Sequence, residues 1–392
     1  MILKITSVSA HVCNAELRNW VFVRVETNVP GMIGWGEATL EFKTRAVVGT
    51  IADMEPMLVG LDPRNIENCF QIMNKHGFWR MGIIGMSAIS GIELALWDIL
   101  GKHLGVPVWQ LLGGSVREHL RTYTHLGLGD MRAVYNSATS ASIVELAKQV
   151  TQAGYDALKV VCIPYSHYVS GNADVDRVGR VVGDLRDAVG PDIDIMVDFH
   201  GRPASVNGAL DYINVLADAR VMFVEEPVPP ENVGGLSEVT RRSPVPIAAG
   251  ERLVGRREFD SALRRRAFDI AQPDICHAGG LWETKKIAAM AETAGIGVAP
   301  HNPLGPIAGV AALHFGISTH NVIIQEEMSG AVPWYDEVVN WPIERRPGRW
   351  DKPTLPGLGI EVNEKVINAH PFAPDMLVAR DAVLTDGTVV DW

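Results

Sequence analysis

The hydrophobic and polar positions of this chain change pattern near residue 120. Before it, residues 4–13, 20–27 and 32–38 are short runs rich in apolar and β-branched side chains, which predict strands, and a turn at 28–31 joins the last two into a hairpin. From residue 44 to residue 99 the apolar side chains recur every three or four positions, which predicts helices with breaks at Pro63 and Gly77. Strands followed by helices predict an α+β domain over residues 1–120.

Between residues 121 and 345, short apolar runs alternate with amphipathic helical stretches. Strands are predicted at 122–126, 157–161, 193–198, 221–225, 247–249, 270–272, 297–299 and 322–325. Eight such strands with helices between them predict an α/β fold, a closed (β/α)7–8 barrel of the TIM type. The alternative is an open doubly wound sheet, which would carry a glycine-rich phosphate loop after its first strand, and the sequence has none there.

Residues 346–392 are rich in loops and short strand-like runs. We expect this segment to pack back on the first domain. The predicted fold is therefore a TIM-like barrel with an α+β capping domain that is built from the N-terminal region and the C-terminal segment.

The composition indicates which macromolecular partners and which cellular compartment the protein can have. The chain has 392 residues, 47% hydrophobic and 21% charged, as ordinary globular proteins do, and a formal net charge of −11, which argues against nucleic acid or an anionic membrane as a partner. Its four cysteines are scattered without a Cys-x-x-Cys spacing, and the first residues lack the long apolar core of a signal peptide. We therefore expect a cytoplasmic protein.

Carboxylates stand at the ends of three successive predicted strands. Asp198, Glu225 and Glu251 are separated by 27 and 26 residues, the length of one β/α unit. In a β/α barrel such strand ends meet on one face, where three carboxylates repel one another unless a cation lies between them. Oxygen ligands suit a hard ion, so we predict a Mg²⁺ site. The alternative is that some of them cap helices or pair with Arg252.

Three further strand ends complete the ring. Asp274, His301 and Glu326 follow at intervals of 23, 27 and 25 residues. An Asp and a His on neighbouring strands suggest a dyad in which the carboxylate orients the imidazole and makes it more basic, so His301 is a candidate general base. His200 stands two residues after Asp198, on the same side of a strand, and should face the same cavity.

The remaining histidines carry no comparable pattern. His125 and His167 fall near strand ends and are secondary candidates, whereas the others, His277 among them, are expected at the surface, in the core or at the edge of the pocket.

Several motifs together resemble one known family. They are VDFHGR at 197–202, FVEEP at 223–227, AAGER at 248–252, QPD at 272–274, HAGG at 277–280, APHNPLGP at 299–306, MSAISG at 86–91, ALWD at 95–98, PGLG at 356–359 and DGTVVDW at 386–392. These motifs resemble the enolase superfamily, within it the mandelate racemase subgroup, and most closely the D-galactonate dehydratases. The resemblance covers nearly the whole chain.

The resemblance implies a Mg²⁺-assisted removal of the proton next to a carboxylate. Asp198, Glu225 and Glu251 would hold the ion, which would neutralise charge on the enediolate. His301, paired with Asp274, would take the C2 proton. Two more residues have implied roles: Glu326, in protonated form, would hydrogen-bond the substrate carboxylate, and His200, as imidazolium, would protonate the departing 3-hydroxyl to give a 2-keto-3-deoxy acid.

The second barrel strand departs from the pattern of many members. They carry Lys-x-Lys there with the second Lys as a base, whereas this chain has Lys159 and Val161. Valine carries no proton, so dehydration of a sugar acid such as D-galactonate or D-gluconate is favoured over a two-base racemase. An epimerase or cycloisomerase on the same scaffold, and a catalytically silent sensor of acid sugars, are the alternatives.

Substrate contacts and assembly are also implied by the resemblance. Loops of the first domain close over the barrel in this family, so Arg18, Trp20 and Arg45, together with Lys159 in the barrel, are the predicted substrate-binding residues. The family further implies a dimer-based homo-oligomer, often an octamer.

Overall fold

The first region is a three-stranded antiparallel sheet that is covered by helices. In the computed structural model, which describes residues 3–127, 139–375 and 382–392, the strands β1 (Ile5–Ala15), β2 (Arg18–Thr27) and β3 (Ile33–Glu37) pair in that order. The helices are α1 (Thr44–Leu58), α2 (Ile66–Lys75), α3 (Gly82–Leu104) and α4 (Val108–Leu111). This region has the α+β content that its sequence pattern predicts.

Helix α3 is the core element of this region. It is long and apolar enough to cross a membrane by composition, yet 78% of its most apolar window is buried inside the protein, as in the core helix of a folded domain. Its tight packing needs two glycines of β3, because a Cβ on Gly34 or Gly36 would lie 2.0 Å from a carbonyl oxygen of the helix.

The second region is a closed barrel of parallel strands, which confirms the predicted fold. Within the described residues its eight strands are β4 (His119–His125), β5 (Ala157–Val160), β6 (Asp194–Asp198), β7 (Phe223–Glu225), β8 (Ile247–Ala249), β9 (Ile270–Ala271), β10 (Gly297–Val298) and β11 (Gln325–Glu326). Each strand from β4 to β9 pairs with the next one, and β11 pairs with β4. An isolated bridge between Val298 of β10 and Val322, just before β11, closes the ring.

Seven described helices follow the strands in alternation and surround the barrel. They are α5 (Ser140–Ala153), α6 (Asn172–Val189), α7 (Val206–Leu216), α8 (Val233–Arg242), α9 (Gly255–Arg264), α10 (Gly280–Thr293) and α11 (Pro306–Ser318). Because every strand points the same way, the residues that end the strands collect at one mouth of the barrel.

The barrel interior is a packed layer with one residue from each strand or its immediate end. The layer combines large side chains with three alanines, which together fill the inside of the barrel. Its members are Tyr123, Ala157, Met196, Phe223, Ala248, Ile270, Ala299 and Ile324. This layer forms the floor under the mouth of the barrel.

The C-terminal part contacts both regions. It comprises a short 3-10 helix (Tyr335–Glu337), β12 (Val339–Asn340), β13 (Arg345–Arg346), β14 (Arg349–Asp351), β15 (Glu361–Val362) and α12 (Glu364–Ala369). Strand β14 pairs with the barrel strand β4, so the segment after residue 345 does not pack on the first region alone. Further along, Asn19 of β2 bonds to Asp375 at 2.7 Å. The division of domains at residues 120 and 345 stays a prediction.

Two buried carboxylates of the first region cap helices of the barrel. Glu37 accepts hydrogen bonds from the backbone N–H groups of Gly305 and Ala308 at the start of α11, at 2.7 and 2.8 Å. Glu93 of α3 accepts from Leu281 and Trp282 at the start of α10, at 2.8 and 2.9 Å. A carboxylate is favourable at a helix N-terminus, where backbone donors lack partners, so these contacts fasten the cap to the barrel.

We expect Glu93→Ala to lower the free energy of unfolding by at least about 2 kcal/mol, because it leaves buried donors, the indole N–H of Trp97 among them, without an acceptor. The matched control is Glu67→Ala, which removes an exposed ion pair with Lys286 and should cost less than about 1 kcal/mol. Chemical denaturation of both variants measures the difference. Equal losses in the two variants would contradict the capping role.

Candidate active site

A cavity of about 270 Å³ lies at the mouth of the barrel, under the first region. Ten of its lining residues come from the barrel strand ends: His125, Lys159, Asp198, His200, Glu226, Glu251, Arg252, His277, His301 and Glu326. The rest come from the first region, from the loop after β10 and from the C-terminal segment: Arg18, Leu40, Glu41, Phe42, Ile83, Pro303 and Trp392. Ionisable walls under a mixed apolar and charged roof suit a small polar ligand.

The strand period explains why these side chains face the cavity. Residues i and i+2 of a strand point to the same side, so the residue two positions after each member of the interior layer also points inward, one level higher. Tyr123 is thus followed by His125, Ala157 by Lys159, Met196 by Asp198, Phe223 by Glu225, Ala299 by His301 and Ile324 by Glu326. The polar site is stacked directly on the apolar floor.

The three predicted metal ligands end neighbouring strands. Asp198 pairs in register with Glu225, and Glu251 follows the end of the next strand after Gly250, whose φ of +136° turns the chain there. Glu225 and Glu251 each have a buried carboxylate oxygen, Oε2, that has no hydrogen-bond partner among the described residues. Burial, and then the charge of Asp198, raises the pKa of Glu225; burial, and then the charge of Glu226, raises that of Glu251 well above its usual value.

Buried carboxylate oxygens without partners are satisfied by a proton or by a cation. Among the described residues no group of three or more such side chains is arranged to hold a metal ion, and the Nζ of Lys159 lies 2.8 Å from Glu225 and 3.4 Å from Asp198. The donor chemistry nevertheless fits Mg²⁺: the set is all oxygen and acidic, and two of its oxygens are unsatisfied and buried. Asp198, Glu225 and Glu251 therefore stay the predicted ligands of Mg²⁺.

Lys159 and Glu326 form a charged wall of the cavity. The Nζ of Lys159 lies 2.8 Å from Glu326, and the Nε2 of His125 lies 2.6 Å from the same carboxylate. Burial alone would raise the pKa of Glu326, but the charge of Lys159 and the hydrogen bond from His125 outweigh it, and the pKa falls well below its usual range. This direction favours a carboxylate that contacts Lys159 and His125 in this arrangement, and a protonated Glu326 beside a bound substrate stays a prediction.

His301 and Asp274 form the predicted pair. The Nδ1 of His301 donates to the Oδ2 of Asp274 at 2.8 Å, while Oδ1 accepts from the backbone of Cys276 at 2.7 Å. This bond leaves Nε2 as the basic nitrogen in the cavity. Burial lowers the pKa of His301, but the charge of Glu251 and the bond to Asp274 raise it well above its usual value. A cation bound by Glu251 would offset the larger of these two contributions.

His200 reaches the cavity through a turn rather than along a strand. Strand β6 ends at Asp198, and His200 has φ of +52°, a left-handed conformation that is costly for a residue with a Cβ. Its backbone N–H donates to Asp198 at 3.0 Å, and its Nε2 lies 3.2 Å from the same carboxylate. Because β6 is the third barrel strand and β10 the seventh of eight, His200 and His301 enter from opposite sides.

Two of the four predicted substrate-binding residues line the cavity, and two do not. Arg18 lines the cavity, ion-paired to Glu41 and bonded to the carbonyl of Pro303 at 2.6 Å, and Lys159 lines it as well. Trp20 does not reach it: this side chain is 1% exposed and packs against Tyr335 in the core. Arg45 does not reach it either, since it stacks over Phe372 at 4.7 Å on an exposed part of α1. The substrate-contact prediction is wrong for these two residues.

Several lining residues were not singled out from the sequence. Glu226 and Arg252, which follow two predicted ligands, form an ion pair at the cavity wall. Trp392 lies over His200, with ring centroids 5.3 Å apart, and contacts Phe42 at 5.9 Å. His125 lies in the cavity, as its position near a strand end suggests, whereas His167 is exposed beside Tyr168. His277, expected to be peripheral, lines the cavity too.

A β/α barrel that gathers carboxylates and an Asp–His pair under an α+β cap defines the class of capped barrel enzymes. Comparison with known families is specific. Residues 6–113 match the N-terminal domain of the mandelate racemase / muconate lactonizing enzyme family, and residues 142–366 match the enolase C-terminal domain-like family. The chain belongs to the enolase superfamily, in its mandelate racemase subgroup.

Two relatives that match nearly the whole chain are named for the same activity. The chain is 38% identical to D-galactonate dehydratase of Klebsiella pneumoniae strain 342 and 39% identical to that of Verminephrobacter eiseniae, over 95% of this chain and 96% of each relative. It is also similar to the solved mandelate racemase/muconate lactonizing enzyme of Jannaschia sp. CCS1, at 33% identity and a TM-score of 0.87, over 95% of this chain and 99% of that one. The chain is thus an enzyme of the hydro-lyase class.

Proposed function

We propose that this protein dehydrates a sugar acid, D-galactonate or a close aldonate such as D-gluconate, to the 2-keto-3-deoxy acid. The observation that carries the proposal is the pair of histidines on opposite strands of the barrel, one oriented by Asp274 and the other held at Asp198. Removing a proton and a hydroxide from adjacent carbons needs a base and an acid, and this cavity has one of each type.

The base step follows from the geometry of His301. Its Nδ1 proton is bonded to Asp274, so Nε2 accepts the C2 proton of the substrate and the electron pair of the C2–H bond moves into the carboxylate to give an enediolate. These electrons form the C2–C3 double bond only when the 3-hydroxyl leaves. Asp274 stabilises the imidazolium that results. Lys159, buried and charged, faces the substrate from the second strand and attracts its carboxylate.

The acid step falls to His200. As imidazolium it donates a proton to the 3-hydroxyl, which leaves as water, and the enol that remains tautomerises to the keto acid. Trp392 covers the imidazole ring and shields this side of the cavity from solvent. Val161, buried after the end of β5, offers no second base on the Lys159 strand, so one-sided elimination is favoured over epimerisation.

Asp198, Glu225 and Glu251 are the proposed ligands of Mg²⁺. Bound there, the ion would neutralise negative charge that builds on the substrate carboxylate as the C2 proton leaves.

We further propose a cytoplasmic, dimer-based homo-oligomer. All four cysteines are free and buried, which suits a reducing compartment. The oligomer follows from family resemblance alone, and size-exclusion chromatography with light scattering measures it.

We expect the purified protein with Mg²⁺ to give semicarbazide-reactive keto acid from at least one member of a panel of aldonates and aldarates. EDTA should remove the activity, and added Mg²⁺ should restore it, because the carboxylates cannot hold the charge of the reaction alone. Product NMR distinguishes a keto acid from an epimer. Binding of an acid sugar without turnover across the panel would indicate a sensor and would contradict the proposal.

A further inference from the structure

His277 is the cavity residue with the least obvious task. It follows Asp274 in a turn in which its backbone N–H donates to the carbonyl of Asp274 at 3.0 Å. The side chain is 5% exposed and lines the cavity, and its Nδ1 lies 3.0 Å from the Oγ of Ser87 in helix α3. His277 therefore joins the cap to the loop that carries the partner of the base.

The contact with Ser87 determines which nitrogen carries the proton. A serine hydroxyl has one proton, and that of Ser87 is donated to the carbonyl of Ile83 at 2.8 Å. Ser87 can therefore only accept from His277, so Nδ1 of His277 carries a hydrogen. In the neutral ring, Nε2 is then an acceptor.

This acceptor has no donor in the loop that carries it. Nε2 of His277 lies 3.7 Å from Oδ2 of Asp274, beyond hydrogen-bond distance, and both atoms are acceptors. Oδ2 already takes the proton of His301 at 2.8 Å. A donor that enters from the cavity would satisfy Nε2, and a hydroxyl group is the smallest such donor on a sugar acid.

The barrel order indicates which end of the substrate this is. Lys159, the proposed carboxylate contact, ends the second barrel strand, whereas His277 follows the sixth, which is diametrically opposite in a ring of eight. Ile83 of the capping helix lines the cavity beside it. A substrate with its carboxylate at Lys159 therefore extends its distal carbons toward His277.

We propose that His277 is a specificity-determining residue that accepts a hydrogen bond from a distal hydroxyl of the sugar acid, with Ser87 fixing its tautomer. The inference rests on the proposed function and adds a substrate contact to it. A site built around a hydroxyl discriminates strongly against analogues that lack it, because the buried acceptor is then left unpaired.

The test compares kcat/KM for D-galactonate, or D-gluconate where it is the better substrate, with kcat/KM for its derivatives deoxygenated at C4, C5 or C6. We expect the wild type to disfavour one derivative by about 10²-fold or more. His277→Asn keeps an amide where Nδ1 meets Ser87 but has nothing at the Nε2 position, and should reduce that ratio to about 3-fold. His277→Gln can place an amide oxygen at the Nε2 position and should restore part of the ratio.

Two controls separate the contact from a structural effect. Ser87→Ala should weaken the discrimination without removing it, because the tautomer is no longer fixed, and His320→Asn, at a histidine whose side chain is 81% exposed, should leave it unchanged. An equal fall of kcat/KM for the parent acid and all three derivatives would overturn the inference. If the wild type turns over no sugar acid, the proposed function fails. Calorimetry then tests the inference about His277 separately, by comparing the dissociation constant of the parent acid with that of each deoxygenated derivative.

Discussion

Replacing His301 by asparagine is expected to abolish exchange of the substrate C2 hydrogen with D₂O and to lower kcat/KM for dehydration by about 10³-fold or more. The reason is geometric. Nδ1 of His301 is committed to Asp274 at 2.8 Å, so Nε2 is the only ring nitrogen free to take the proton. Asparagine can keep an N–H toward Asp274, which preserves the loop, but it has no basic nitrogen at the Nε2 position.

The measurement follows deuterium at C2 of recovered substrate by NMR, beside the formation of keto acid. Asp274→Asn is the companion variant: it retains the size of the side chain while removing the charge, and should lower the rate less than the loss of the base itself. An intact fold is checked by the thermal unfolding midpoint, and retained binding by calorimetry with the substrate acid. C2 exchange at the wild-type rate in His301→Asn would show that another group removes the proton.

The barrel, and the gathering of the candidate metal and base residues at one mouth, could be predicted from the sequence because both signals are local. A β/α unit has a nearly constant length, so carboxylates that end successive apolar runs at intervals near 26 residues must meet at one mouth. The strand period then places Asp198, Glu225 and His301 one level above the interior layer, two positions after Met196, Phe223 and Ala299, whereas Glu251 lies after a turn at Gly250. No knowledge of distant contacts is needed for either step.

The residues of the cap could not be predicted in this way. Strand β2 is buried on both faces from Arg18 to Val23, so its alternation does not tell which side meets the cavity, and Trp20 points into the core. His277 lies in a turn, where the strand period does not apply. Trp392 meets His200 from 192 positions further along the chain, a contact without any local signal.

His200 lines the cavity, as predicted, but it does so from a turn and not from a strand. The strand period would continue through residue 200, but β6 ends at Asp198 and a left-handed residue turns the imidazole back toward the carboxylate. A conformation that costs free energy is kept where the surrounding structure enforces it, and such sites are often functional. The strained backbone at His200 therefore supports a specific task for its side chain.

If His200 donates the proton to the 3-hydroxyl, its replacement should slow dehydration but not the exchange of the C2 hydrogen. His200→Asn should lower dehydration by about 10²-fold or more while C2 exchange continues within about tenfold of the wild-type rate, since the base on the opposite strand is untouched. Asparagine is the suitable replacement because it tolerates the left-handed conformation better than most residues.

A substrate analogue sharpens the test of His200. An aldonate with fluorine in place of the 3-hydroxyl releases fluoride, a leaving group that needs no proton, so His200→Asn should eliminate fluoride at nearly the wild-type rate while it fails to eliminate water. If exchange and both eliminations fall together in a folded variant, His200 acts through its 3.2 Å contact with Asp198, as a support of the metal ligand rather than as the acid. If His200→Asn still dehydrates the sugar acid at the wild-type rate, the proton comes from another group, and His200 is not the acid that acts opposite the base His301.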